Sequence, residues 1–131
     1  MMHPFLRALA VLGVSVPTAC FAAGPVSGDS VRGQRIYDRC IACHSIERDR
    51  TGPRHADLIG RRVGSVAGFA YSPVMRKAGE AGMTWDEATL DRFLESPTKV
   101  FPGTRMGYAG IKDAQERADL IAYLKQARAD P

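Results

Sequence analysis

Cysteine and histidine are scarce in this sequence, and neither an extended strand pattern nor an internal repeat occurs. Three cysteines and three histidines are present in 131 residues. A zinc site built on Cys40 and Cys43 would need two further Cys or His ligands at paired spacing, and only His3 and His55 are left to supply them. A zinc site is therefore a poor interpretation, and the missing strand pattern favours an all-α fold.

Long apolar runs and a strong net charge are also missing. The apolar run at residues 8–16 is shorter than the roughly 20 residues that a membrane-spanning helix needs. The formal net charge is only +4. Such a mild positive charge does not indicate a nucleic-acid partner, although a basic patch could still steer an acidic protein if it lay on one face.

The amino terminus has the layout of a secretory signal peptide. Arg7 precedes the apolar run, and small residues follow that run. We therefore expect a signal peptide at residues 1–22, one domain at residues 23–131, and a periplasmic location. The alternative is a lipid anchor at Cys20, in a lipobox-like stretch where Pro17 stands in place of the usual Leu.

The five residues from Cys40 to His44 read Cys-Ile-Ala-Cys-His, which is the attachment signature of a c-type haem. On one helical turn the two sulfurs can reach the two vinyl groups of the porphyrin, and the following imidazole comes under the iron. A thioredoxin-like dithiol is the other interpretation, but it would need a β-α-β setting, and the flanking segments read as helix and loop. The motif therefore predicts one covalently attached haem c.

Capping residues and apolar spacing predict about four short helices. The first runs from Asp29 or Ser30 toward Cys40, the second lies between Ser72-Pro73 and Gly79, the third opens with a capping box from Thr84 to Glu87 and ends before Pro97, and the last runs from Asp113 to about Ala127. Residues 45–66 read as an irregular loop. These helices alone bury little apolar area, so a haem would supply the missing core.

A second axial ligand decides whether the iron keeps a position open to small molecules. Met106 lies in a loop shaped by Pro102 and Gly103, where the backbone can aim a thioether. Met75 and Met83 are rival candidates, although methionines at such positions are more typical of core or surface.

The sequence resembles the class I cytochromes c, the mitochondrial and bacterial carrier type, over nearly the whole predicted domain. The resemblance is carried by Cys40 to His44 and by residues 52–53, 60–61, 69–72, 84–85, 102–106 and 117–124. It implies the class I cytochrome c fold, an all-α domain of about four short helices and long loops wrapped around one haem.

The resemblance also implies roles for individual residues. Cys40 and Cys43 would hold the haem, while His44 and Met106 would ligate the iron from opposite sides. The carbonyl of Pro53 would accept the ring N–H of His44 and fix that ligand's tautomer. Four residues would surround the haem propionates: Arg61, Tyr71, Trp85 and Thr104. The alternatives are that the two aromatic residues belong only to the core and that Arg61 is solvated beside Arg62. Three residues would form the crossing of the first and last helices: Gly33, Tyr37 and Tyr123.

Two departures from the family pattern concern the surroundings of the iron. Phe93 stands where the mitochondrial pattern has a Tyr whose hydroxyl bonds the ligating sulfur, so we expect that bond to be absent. His55 occupies a position that is usually Leu, and an imidazole there could titrate near neutral pH.

With both axial positions filled, no place for a substrate remains, so the resemblance implies a monomeric single-electron carrier and no enzyme activity. The implied donor is a membrane quinol-oxidising complex, and the acceptor is a terminal oxidase, a reaction centre or a periplasmic reductase. Arg54, Lys99 and Arg105 could edge the haem site and attract acidic partners. The alternative is a peroxidase-like or ligand-sensing haem protein from which Met106 dissociates readily.

Overall fold

The computed structural model describes residues 26–129, so the predicted signal peptide at residues 1–22, including Cys20, lies outside the described residues. Five helices form in this part of the chain: α1 (Ser30–Tyr37), α2 (Pro73–Glu80), α3 (Glu87–Glu95), α4 (Pro97–Val100) and α5 (Ala114–Gln126). The only pairing of extended backbone within residues 26–129 is an isolated antiparallel bridge between Arg62 and Thr84. The all-α prediction is confirmed, and no described helix is long and apolar enough to cross a membrane.

The first and last helices begin at the capping residues that the sequence indicates. The Asp29 side chain accepts hydrogen bonds from two backbone N–H groups in the first turn of α1. The Asp113 side chain accepts one from the backbone N–H of Glu116, 2.9 Å away, at the start of α5. The Glu116 carboxylate forms two bonds of 2.7 Å to the guanidinium of Arg39. That ion pair ties α5 to the turn that follows α1.

The capping box predicted at Thr84 is wrong. The backbone of Thr84 is held in the bridge with Arg62, so the helix begins later. Asp86 is the capping residue of α3, and its carboxylate accepts the backbone N–H of Thr89 at 2.6 Å.

The predicted stop at Gly79 is also wrong, because α2 continues through this residue to Glu80. Gly79 is buried, and a Cβ there would overlap the carbonyl of Val63. Gly82, with a φ of +88°, takes the left-handed conformation that commonly follows a helix end. The sequence predicts that Pro97 ends a helix, but in the structure Pro97 begins the single turn α4, because proline also suits the first turn of a helix.

The crossing of α1 with α5 confirms the close approach that Gly33 predicts. A Cβ on Gly33 would overlap the backbone carbonyl of Asp119. One turn further along, the rings of Tyr37 and Tyr123 pack with their centroids 5.3 Å apart. The connection between α1 and α2, residues 38–72, contains no helix, as predicted for residues 45–66.

Candidate functional site

A cavity of about 440 Å³ opens among four of the five helices and the long connection between α1 and α2. This volume lies within the roughly 300–1,000 Å³ typical of sites for small molecules and cofactors. Much of its wall is apolar, from Leu58, Leu90, Phe93, Leu94, Leu120 and Leu124. The apolar faces of the helices therefore meet around a space that a large apolar group would fill.

All nine residues predicted for the site line this one cavity. They are Cys40, Cys43, His44, Pro53, Arg61, Tyr71, Trp85, Thr104 and Met106. Residues that lie far apart in the sequence are thus brought together by the folding of the long connection and of the segment between α4 and α5 over the helices.

Cys40 and Cys43 lie in the turn that follows α1. The backbone N–H groups of Cys43 and His44 donate to the carbonyl of Cys40 at 3.1 and 2.9 Å, which makes one compact turn. Their sulfurs are not joined in a disulfide. Burial raises the pKa of Cys40 to about 11, whereas reactive redox thiols have a lowered pKa. The geometry suits two attachment points on one wall better than it suits a reactive dithiol.

His44 is buried and held in one orientation. Its Nδ1–H donates to the carbonyl of Pro53 at 2.8 Å. Burial lowers the pKa of His44, and the bond to Pro53 opposes that effect in part. The backbone of Gly52 lies so close that a Cβ there would overlap the His44 ring. The imidazole is consequently neutral at neutral pH, with the lone pair of Nε2 available to a metal ion.

His55 lies directly against His44, and the structure contradicts the expectation that it titrates near neutral pH. The two imidazole rings are stacked, with centroids 4.1 Å apart and planes inclined by 22°. Burial, together with the nearby His44 and Arg61, lowers the pKa of His55 to about 3. Burial also raises the pKa of Tyr37 well above its usual range, so its hydroxyl keeps its proton and can donate to Nδ1 of His55, 3.1 Å away.

Arg61 is held at the cavity wall and is not a solvated partner of Arg62. Its guanidinium donates to the backbone carbonyls of Ala56 and Arg54, each at 2.8 Å. Burial lowers its pKa, as expected for a cation that has lost part of its water. Tyr71 is buried nearby, and burial raises the pKa of its phenol. This corner of the cavity therefore offers hydrogen-bond donors, one of them positively charged.

Ser72 is a site residue that the sequence reasoning missed. Its hydroxyl is buried and has no hydrogen-bond partner within the described part of the chain, although the residue lines the cavity. The sequence assigns Ser72 to the start of α2, and it does occupy that position, but its side chain makes no capping bond. A buried hydroxyl without a partner is unfavourable, so a polar group of the cavity's occupant would satisfy it.

The three candidate methionines occupy different environments. Met106 is half-buried on the cavity wall, and its backbone N–H donates to Oγ1 of Thr104 at 3.4 Å. Met75 also lines the cavity, and its sulfur accepts the Thr104 hydroxyl at 3.7 Å. Met83 is 40% exposed and does not line the cavity. Phe93 reaches the same wall and brings no hydroxyl to it.

These side chains fit one covalently attached haem. Two cysteines lie one turn apart, a buried imidazole follows them, and a thioether faces the same cavity. The wall also carries hydrogen-bond donors suited to carboxylates, and a hydroxyl that has no partner among residues 26–129.

Comparisons with known proteins agree with this fit. The model of the family described as Cytochrome c matches residues 30–128. The chain is 38% identical over 122 residues to the cytochrome c2 of Rhodomicrobium vannielii, which covers 91% of this chain and 95% of that protein. It is 47% identical over 113 residues to the cytochrome c of Chlamydomonas reinhardtii, covering 83% of this chain and 97% of that one. The solved structure of cytochrome cH from Methylobacterium extorquens superposes with a TM-score of 0.70 at 38% identity, covering 75% of this chain and 98% of that chain.

Proposed function

The chain belongs to the cytochrome c family and carries one covalently attached haem c, and on that basis we propose that it is an exported single-electron carrier whose iron is held by His44 and Met106. The observation that carries the proposal is the placement of both side chains on the wall of the cavity that Cys40 and Cys43 also line. If an imidazole and a thioether both held the iron, no coordination position would remain for a substrate. The protein then acts as a carrier and not as an enzyme.

The protein's part is to fix the ligands and keep water away from them. The bound haem supplies one-electron exchange between ferric and ferrous iron. Cys40 and Cys43 would anchor it through thioethers, and His44, whose Nδ1–H donates to the carbonyl of Pro53, would hold the iron through Nε2. A thioether ligand such as Met106 raises the reduction potential relative to other haem ligands. The apolar wall contributed by α3 and α5 leaves little room for solvent reorganisation when the iron changes charge.

We assign the haem propionates to the corner formed by Arg61, Tyr71, Ser72, Trp85 and Thr104. The Arg61 guanidinium supplies a positive charge, and the hydroxyl of Ser72 lacks any other partner among residues 26–129. Carboxylates can be buried only when donors of this kind replace the lost water.

Electron transfer needs a face where a partner can approach the haem. Cys43 is exposed at the cavity mouth, and the exposed Arg105 also lines the cavity while donating to the carbonyl of Ala70 at 3.1 Å. Arg54 lies 3.6 Å from Asp49, which offsets its charge, and Lys99 on α4 lies outside the cavity wall. Of the three cations proposed from the sequence, Arg105 is thus the best placed to meet an acidic partner.

The partners we propose follow from this chemistry. A membrane quinol-oxidising complex would donate the electron, and a terminal oxidase, a reaction centre or a periplasmic reductase would accept it. We propose that a signal peptide at residues 1–22 exports the protein to the periplasm, where it acts as a monomer. The mass of the mature protein tests the processing of this peptide, because cleavage after residue 22 and lipidation at Cys20 give different masses.

The ligand assignment is tested by the visible spectrum of the protein expressed with haem-attachment machinery. Sulfur bonding to ferric iron produces a long-wavelength band, and we expect this band in the wild-type protein and its loss in Met106→Leu. Met75→Leu is the matched control, because it removes the other cavity thioether and should keep the band. A wild-type protein that lacks the band, and whose ferrous form binds carbon monoxide, would instead support the peroxidase-like or ligand-sensing alternative.

A further inference from the structure

The imidazole of His44 has more neighbours than its bond to Pro53. The ring of His55 covers it at a centroid separation of 4.1 Å, nearly parallel. The backbone of Gly52 leaves no room for a Cβ beside the same ring. Three contacts therefore fix the His44 ring: a hydrogen bond at Nδ1, a glycine backbone and a second imidazole.

His55 is itself held in place from the helix crossing. The hydroxyl of Tyr37 lies 3.1 Å from Nδ1 of His55, and the Tyr37 ring meets the His55 ring edge-on with centroids 5.7 Å apart. Tyr37 in turn packs on Tyr123 across the α1/α5 crossing. A continuous set of contacts thus connects the crossing of the two terminal helices to the face of His44.

We propose that His55 is a positioning residue for His44, oriented by Tyr37, and that the pair tunes the reduction potential of the haem. This inference rests on the proposed ligation of the iron by His44. It goes beyond the family resemblance, in which position 55 is usually Leu and has no hydrogen-bonding group. Groups beyond the direct ligands set ligand orientation and tune metal centres in this way.

The direction of the effect follows from charge. Ferric iron carries one more positive charge than ferrous iron, so a polar ring beside the ligand favours the ferric form. His55→Leu removes both the polar ring and the flat contact that fixes His44. The midpoint potential should rise, because the ferric form loses more stabilisation than the ferrous form.

The test measures the midpoint potential and the hyperfine-shifted NMR signals of the His44 ring protons in the ferric holoprotein. We expect His55→Leu to raise the potential and to move the His44 signals. His55→Phe keeps a flat ring but loses the hydrogen bond, so it should raise the potential while moving the signals less. Tyr37→Phe should raise the potential by a smaller amount, and it should have no further effect in the His55→Leu background. Tyr123→Phe is the matched control, since it removes a hydroxyl at the same crossing without touching His55.

An unchanged potential and unchanged His44 signals in folded His55→Leu would overturn the inference and leave His55 as packing alone. If His55→Leu does not fold, His55→Phe and Tyr37→Phe decide the question by the same two measurements. A wild-type protein without hyperfine-shifted His44 signals would instead contradict the proposed ligation, so the two failures are distinguishable.

Discussion

The hydroxyl of Ser72 is buried beside the cavity and has no partner among the described residues. Without a bound group the buried hydroxyl would destabilise the folded protein, since burial of an unsatisfied polar group disfavours folding. In the haem-bound protein the same hydroxyl can donate to a propionate. A substitution at Ser72 therefore tests whether the propionates lie in the corner that we assign to them.

The change in unfolding free energy caused by Ser72→Ala shows whether the Ser72 hydroxyl bonds a propionate. If the hydroxyl donates to a propionate, Ser72→Ala should lower the unfolding free energy of the holoprotein by about 1–3 kcal/mol. Guanidinium denaturation measures the change. Ser65→Ala is the control, because Ser65 is exposed and, among the described residues, its hydroxyl bonds only the carbonyl of Arg62. Its loss should change the free energy of unfolding by less than about 0.5 kcal/mol. Equal or greater stability of Ser72→Ala would show that no propionate reaches this hydroxyl.

At the residue scale, a sequence is most informative where chemistry imposes a fixed spacing. Cys40, Cys43 and His44 are recognisable because two thioethers and an axial ligand must fit one turn. Ser72 could not be recognised in this way, since its place at the start of α2 already accounted for a serine. The low pKa of His55 was likewise not predictable, because it depends on burial by segments that are distant in the sequence.

At the scale of elements, the packing of α1 on α5 depends on the absence of a side chain at Gly33. Gly33→Ala should lower the unfolding free energy by roughly 1–3 kcal/mol, because the added methyl meets the carbonyl of Asp119 and the helices must separate. Gln34→Ala is a suitable control, since Gln34 is the exposed neighbour of Gly33 in α1. Thermal unfolding measures the change in stability of both variants relative to the wild type. A more stable Gly33→Ala would mean that the gain in helix propensity, about 1 kcal/mol, outweighs the contact.

The interface between α1 and α5 also contains the buried carboxylate of Asp119, which makes the stability of the protein depend on pH. Asp119 accepts hydrogen bonds from Nε of Arg32 at 2.7 Å, the backbone N–H of Asp29 at 2.7 Å and the amide of Gln115 at 2.9 Å. The bond from Arg32, with the other two donors, holds the pKa of Asp119 well below its usual range, against the effect of burial. Folding therefore favours the ionised carboxylate. Its contribution is complete above the usual carboxyl pKa and is lost as the pH falls through the lower folded value.

Asp119→Asn should accordingly be less stable than the wild type at pH 6, and the difference should shrink as the pH is lowered toward 2. Denaturation curves at a series of pH values measure this convergence. Glu87→Gln is the matched control, because Glu87 forms an exposed ion pair with Lys125 and such pairs contribute little. A stability difference between the wild type and Asp119→Asn that stays constant with pH would contradict the role assigned to the Asp119 carboxylate.

The order and type of the main helices follow from local signals, but two of their boundaries do not. Asp29 and Asp113 cap α1 and α5 as predicted, because a side-chain oxygen can satisfy the first N–H groups of a helix without distant help. Thr84 fails as a cap because its backbone pairs with Arg62, which lies 22 positions earlier in the chain. Gly79 fails as a stop because it is needed for contact with Val63. Both errors arise where tertiary contacts override a local pattern.

At the scale of the whole molecule, function depends on how charge is arranged around the cavity mouth. Arg105 is exposed and lines the cavity, whereas Arg39, which also lines it, is paired with Glu116. A net charge of +4 is too small to steer partners unless some of it is concentrated near the exposed edge of the haem. An uncompensated cation at this position would accelerate docking with an acidic partner and still permit rapid release.

Arg105→Glu should therefore slow reduction of the ferric protein by an acidic electron-donor protein severalfold at low ionic strength, and the deficit should largely disappear at high salt. Stopped-flow reduction at several salt concentrations measures this. Lys77→Glu is the matched control, because it makes the same change in net charge on α2 at a residue outside the cavity wall. If the two variants slow reduction equally, net charge alone governs the encounter. If Arg105→Glu slows reduction and the effect does not depend on salt, the side chain acts through the structure of the Met106 loop and not through docking.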